Sequence, residues 1–210
     1  MALRRKLAAA LCLVVGSSTV FAQGATGAPR TLVRAGHLLD VKTGKLLDAQ
    51  TIVVTGDTIS SVAPTSSVTA QPGDKVIDLG AMTVMPGLID VHTHITMETN
   101  FDPYFELTQT DAKEAIQGVA NARTTLLAGF TTIRNVGAGG YTDVDLRDAI
   151  NQGEVPGPHM QVSGPALGIT GGHCDENLLP IKYHVTGDGV ADGLPAYSRR
   201  CGRISSTEST

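Results

Sequence analysis

Between residues 31 and 84 the apolar positions fall in short β-branched runs: Thr31–Ala35, Thr51–Val54, Thr58–Val62 and Lys75–Leu79. Gly36, Gly44, Gly56, Pro64, Pro72, Gly73 and Gly80 separate them, so short strands joined by tight turns are expected, in a small all-β unit. Alone such a unit buries little and should pack on something larger. After Pro86 and Gly87 the rhythm changes. Leu88–Ile95 reads as a buried strand, and Asp111–Leu127 as a helix. The helix keeps Ala112, Ala115, Ile116, Val119, Ala120 and Leu127 at helical spacing, with Asp111 and Glu114 as a capping box. Gly129 stops it before a second strand, Phe130–Arg134; Asp143–Gln152 is a shorter helix ended by Gly153 and Pro156; His159–Ser163 is a third strand. Strands alternating with helices across short loops begin a parallel α/β structure.

Neither end carries such a pattern. Arg4, Arg5 and Lys6, the apolar run Leu7–Val15 and the Val-Phe-Ala that closes at Ala22 have the layout of a secretory signal peptide. The run is about half the ~20 residues that span a bilayer, so cleavage after Ala22 and a periplasmic or secreted chain are expected, without a stable membrane anchor. Residues 194–210 show no apolar period and carry Arg199, Arg200 and Arg203 against Glu208, which suggests a disordered tail. Codons allowed for Arg200 to Thr210, read in a shifted frame, can spell Val-Arg-Glu-Asn-Ile-Lys-Tyr-Gly-Val-Asp, the end of an amphipathic helix leading into a strand. The expected organisation is therefore a signal peptide at 1–22, a β-rich segment at 23–84, an α/β segment at 85–193 and an aberrant, out-of-frame tail at 194–210.

Composition narrows the function classes. With 210 residues, 41% of them apolar and 17% charged, the chain is neither disordered nor a coiled coil. Its net charge is −4, and removal of three basic residues with the signal peptide makes it 13 − 20 = −7, so nucleic acid is not an expected partner. Three cysteines, Cys12, Cys174 and Cys201, are too few and too scattered for a disulfide scaffold or a zinc ribbon.

The residues with the clearest chemistry are His92 and His94 at the end of the first α/β strand. Two positions apart on a strand, their side chains leave the same face about 6–7 Å apart, and both imidazoles can reach one ion. Neutral imidazole is a common ligand for zinc and similar divalent cations. On spacing alone a His-x-His pair is more often solvent-facing than metal-binding.

The stretch Val84-Met-Pro-Gly-Leu-Ile-Asp-Val-His-Thr-His94 resembles the opening signature of the metal-dependent amidohydrolase superfamily, and Ala35–Gly80 resembles the family's small β-sandwich. Ala128–Asn135 and Gly168–Asp175 resemble the exported, imidazolonepropionase-like subgroup, which includes dipeptidases cleaving Xaa-Pro or Xaa-Arg/Lys. Asn135 stands where that pattern more often has Asp. The resemblance implies an α/β fold, a (β/α)8 TIM barrel of which this chain holds the first three strands, preceded by the β-sandwich segment. It implies one or two divalent ions, usually zinc, that activate water for attack on an amide of a dipeptide or other small-molecule substrate. His92 and His94 carry over as metal ligands, and His173 as a substrate-lining residue, although His173 reads equally as a solvated loop histidine. The bridging Lys or Glu after the fourth strand, the His after the fifth and sixth and the Asp after the eighth have no positions here. No catalytic residue of the family is therefore present, and the polypeptide alone should be inactive. The shifted-frame string resembles the family segment before the bridging lysine, so a frameshift near residue 193 is expected. The alternative is a non-catalytic secreted β-rich binding module. Cys174 beside His173 makes a poor thiol–base pair, since adjacent side chains diverge. His37 and His159 are expected at strand ends, His184 in a loop, and Arg134 in a structural ion pair.

Overall fold

In the computed structural model the described residues are 28–98, 102 and 104–208. The segment expected to be a signal peptide, residues 1–22, lies outside them. The chain divides between Met85 and Pro86 into two compact units.

The first unit is a four-stranded sheet of β1 (Arg30–Asp40), β2 (Lys45–Thr55), β3 (Thr58–Pro64) and β4 (Lys75–Val84), in the order β3-β2-β1-β4. The β1–β2 and β2–β3 pairs are antiparallel and β1 runs parallel to β4. The first hairpin closes because Asp40 accepts from the Lys42 amide at 3.0 Å and the Thr43 hydroxyl at 2.6 Å, while Gly44 takes φ +69°. Leu32, Ala35, Thr51 and Val53 are buried in this sheet.

The strands are longer than their β-branched runs, and two glycines expected to break them lie inside them. Gly36 sits in β1 where the register with β4 shifts, and Gly80 lies within β4. A Cβ on Gly36 would overlap the Gly80 carbonyl. These glycines let two backbones approach at a bulge.

The second unit is a parallel three-stranded sheet, β5 (Leu88–Thr93), β6 (Phe130–Asn135) and β7 (His159–Gln161), in the order β5-β6-β7. Helix α1 (Asp111–Leu127) connects β5 to β6 and α2 (Thr142–Asn151) connects β6 to β7. Ile95, Ala122, Ile133, Leu146, Met160 and Val162 form its buried cluster. The cap of α1 is Thr110, whose hydroxyl accepts from the Lys113 amide at 3.3 Å, one residue before the expected box. Its buried face centres on Gly118 and Ala122, while Ile116 and Leu127 are exposed. Small residues win there because the layers are close: a Cβ on Gly118 would stand 3.0 Å from Leu146 and 3.1 Å from Thr96.

Two further expectations are corrected. β5 is not a buried strand: among the described residues it has one neighbour, β6, and Ile89 and Val91 are 65% and 61% exposed. The tail is not irregular: α3 spans Gly193–Glu208. Pro195 falls in its first turn, where a missing N–H costs no helical bond, and Ala196, Arg199 and Arg200 are good helix formers. Lack of an apolar stripe limits a helix's packing more than its formation. Among the described residues no helix is long and apolar enough to cross a membrane.

Candidate metal centre

In parallel α/β sheets ligands bind beyond the carboxyl ends of the strands, and both histidines of the motif stand at the carboxyl end of β5. His92 is inside the strand and His94 is one residue past it, both exposed. Their ring centroids lie 5.7 Å apart with the planes at 69°. A zinc ion bonded at about 2.0–2.1 Å to both rings would hold their centroids roughly 5–6 Å apart, a spacing with which this pair is compatible. The His94 Nδ1 lies 3.3 Å from the Gly137 carbonyl. With the proton on Nδ1 that contact orients the ring and leaves Nε2 with its lone pair outward, the usual arrangement of a metal-binding imidazole. Among the described residues no third His, Cys, Asp or Glu joins the pair in a cluster able to hold a metal.

Two buried residues near the pair were given no role by the sequence. Asn135, at the end of β6, and Asp143, in the first turn of α2, are both fully buried. Asn135 Oδ1 accepts from the Ile95 amide at 2.7 Å and the Thr93 hydroxyl at 3.4 Å. Asn135 Nδ2 donates to the Gly137 carbonyl at 3.2 Å and to Asp143 Oδ2 at 3.0 Å. Asp143 Oδ2 also accepts from the Gly164 amide, beyond β7, at 3.2 Å. The carboxyl ends of β5, β6 and β7 thus converge on one buried polar hub. The only sequence signal for it was the asparagine at a position where the resembling pattern more often carries aspartate.

His173 is exposed on the loop after β7, and no described contact ties it to the histidine pair. Its loop is fixed instead by Asp175, whose carboxylate accepts from the amides of Gly171 at 2.7 Å, Gly187 at 2.8 Å and Glu176 at 2.8 Å. The Gly171 bond, then the Gly187 bond, holds the Asp175 carboxyl below its ordinary 3.8. A lowered carboxyl favours the ordered loop above about pH 3.8, and that contribution is lost as pH falls through the lowered value. A carbon-detected NMR titration should therefore place the Asp175 midpoint below 3.8, and Asp175→Asn should speed amide exchange at Gly171 and Gly187.

Other candidates resolve simply. Arg134 makes no carboxylate pair among the described contacts; its Nε donates to the Val91 carbonyl of β5 at 2.9 Å. His37 lies within β1, with Nδ1 2.8 Å from Asp48 of β2. His159 opens β7, and His184 takes φ 53° in a loop. Cys174 and Cys201 are free thiols. A cleft of about 440 Å3 belongs to the first unit, lined by Arg30, Thr55, Ser60, Ser61 and Thr69 among others, whereas both motif histidines belong to the second.

The profile of the amidohydrolase family matches residues 83–202, which include the histidine pair and the whole hub. This chain belongs to the amidohydrolase family. As an amidohydrolase-family chain it is 35% identical over 104 residues to a dihydroorotase of Ruminiclostridium cellulolyticum, covering 50% of this chain and 21% of that protein. It is 33% identical over 95 residues to an imidazolonepropionase of Pseudomonas savastanoi pv. phaseolicola, covering 44% and 22%. Among solved structures, a Xaa-Pro dipeptidase with bound methionine in its active site superposes with a TM-score of 0.72 at 32% identity, over 82% of this chain and 44% of that one. The chain thus spans about a fifth of the length of these curated relatives and under half of the dipeptidase.

Proposed function

We propose that the protein to which this sequence belongs is an exported, metal-dependent hydrolase of carbon–nitrogen bonds, acting as a dipeptidase, with His92 and His94 as ligands of a divalent cation, zinc. The observation that carries this reading is the 5.7 Å separation of the two rings at a strand's carboxyl end, with His94 Nδ1 held on a backbone carbonyl. Such a cation, when bound, polarises an amide carbonyl and makes water a competent nucleophile near neutral pH. The chain's own residues hold and orient it. The dipeptide specificity draws support from the likeness to the Xaa-Pro dipeptidase, and His173 is proposed to line the substrate site.

In this reading β5, β6 and β7 are the first three strands of a (β/α)8 barrel, and the first unit is a β-sandwich segment. The exposed Ile89 and Val91 on β5 fit a strand that a closed barrel would cover. Residues 1–22 act as a signal peptide cleaved after Ala22, which sends the protein to the periplasm or medium.

Two imidazoles are half a donor set, so the 210-residue chain alone, loaded with Zn2+, is expected to hydrolyse Xaa-Pro and Xaa-Arg dipeptides no faster than the metal blank. A chimera joining residues 1–193 to the remainder of the Xaa-Pro dipeptidase should cleave Xaa-Pro substrates in a chelator-sensitive way. That activity should vanish with His92→Ala or His94→Ala. A folded but inactive chimera, or activity that survives loss of both histidines, would contradict the proposal.

A further inference from the structure

We propose that Asn135, anchored by Asp143, is a positioning residue for the metal site: it fixes the Gly137 carbonyl and through it the tautomer and direction of His94. The inference rests on the reading of His94 as a ligand and assigns the buried residues that make it one.

Asn135 has no freedom in its own orientation. Its amide oxygen accepts twice, from the Ile95 amide and the Thr93 hydroxyl, and its NH2 donates twice, to the Gly137 carbonyl and Asp143 Oδ2. A flipped amide would set NH2 against the Ile95 N–H and oxygen against the Asp143 carboxylate. The bonds to the Ile95 amide, the Gly137 carbonyl and Asp143 would be lost together. Asp143 is held in turn by the Gly164 amide and by its place in the first turn of α2, where a negative charge is favoured.

The Gly137 carbonyl therefore has two donors, Asn135 Nδ2 at 3.2 Å and His94 Nδ1 at 3.3 Å. One side chain grips the backbone on both sides of the ligand: the amide of Ile95, directly after His94, and the carbonyl that His94 addresses. Space around that carbonyl is tight. A Cβ on Gly137 would stand 3.3 Å from Ala166 and 3.5 Å from His94 Cε1. The carbonyl, an acceptor only, favours the Nδ1–H tautomer of His94, which leaves Nε2 for the cation.

The double exchange Asn135→Asp with Asp143→Asn separates positioning from structure. It conserves charge and keeps an oxygen at position 135 to accept from the Ile95 amide and the Thr93 hydroxyl. It also keeps an amide–carboxylate bond between the two side chains. It removes the donor to Gly137 and, because Asp143 Oδ2 accepts from both Asn135 and the Gly164 amide, it removes the acceptor for Gly164 as well. Nitrogen-15 NMR of the intact, metal-free chain at about pH 8 reads the His94 tautomer directly, and Zn2+ titration of the same samples reads affinity. Wild type should show His94 protonated on Nδ1. Asn135→Ala and the double exchange should both lose that bias and bind Zn2+ about 10–100-fold more weakly, with circular dichroism of the double exchange checking that it is folded. If Asn135→Ala fails to fold, the double exchange decides. A double exchange with wild-type tautomer and affinity would overturn the proposal, as would a wild-type His94 protonated on Nε2. Because the tautomer is read without metal, failure of Zn2+ to bind wild type would count against the ligand reading and leave this inference to the NMR result.

Discussion

Zn2+ titrated into the intact chain is expected to occupy one site, and His92→Ala with His94→Ala is expected to abolish it. The spacing of the pair is compatible with a shared cation, and the pair supplies both imidazole donors. Removing a partner that merely orients a ligand costs about 10–100-fold in affinity, so each single substitution should cost at least that much. The rings are exposed and outside the buried cluster, so the variants should fold. Isothermal titration with far-ultraviolet circular dichroism on the same samples checks both statements. Unchanged Zn2+ binding in the double variant would move the site elsewhere, Cys174 and Cys201 being the first alternatives.

The second large effect concerns stability of the first unit. Gly36→Ala should destabilise it by about 3 kcal/mol, the upper end of ordinary overpacking, because the new Cβ meets the Gly80 carbonyl and not a movable side chain. Gly44→Ala is the control. Gly44 has φ +69° and open space around it, so only the left-handed backbone penalty of about 1–2 kcal/mol applies. Urea unfolding of the two variants should separate them by midpoint, with Gly36→Ala the less stable. Equal midpoints would mean that β1 and β4 do not approach as closely as Gly36 and Gly80 require.

Much of the fold was legible because it rests on local pattern. The α1 span of Asp111–Leu127 follows from its helical spacing and the Gly129 stop, and the β5-α1-β6-α2-β7 order follows from alternating periods. Glycine misled where its role is tertiary. Gly36 and Gly80 look like breaks between strands, and only the pairing of β1 with β4 reveals a bulge. Gly118, on which the local pattern says nothing, matters for how closely Leu146 and Thr96 approach across the layer. Burial of β5 was misjudged because an apolar run does not say how many neighbours a strand has.

The candidate site was half legible for a related reason. His92 and His94 are two residues apart, so strand geometry alone brings them together. Asn135 is 40 residues from Ile95 and Asp143 is 21 from Gly164, and nothing local joins them. Buried polar hubs assemble across strand ends, and their members look in sequence like ordinary loop and helix-start residues. His173 is the converse: a motif named it, yet its placement turns on Asp175 and two glycine amides.

X-ray absorption at the zinc edge of the Zn2+-loaded chain tests most directly whether His92 and His94 share a cation. The expected first shell contains two imidazole nitrogens at about 2.0–2.1 Å, with the ring scattering that marks histidine, completed by water oxygens. That imidazole signal should disappear in the His92→Ala, His94→Ala variant. A shell dominated by sulfur near 2.3 Å, or one without imidazole scattering, would contradict it.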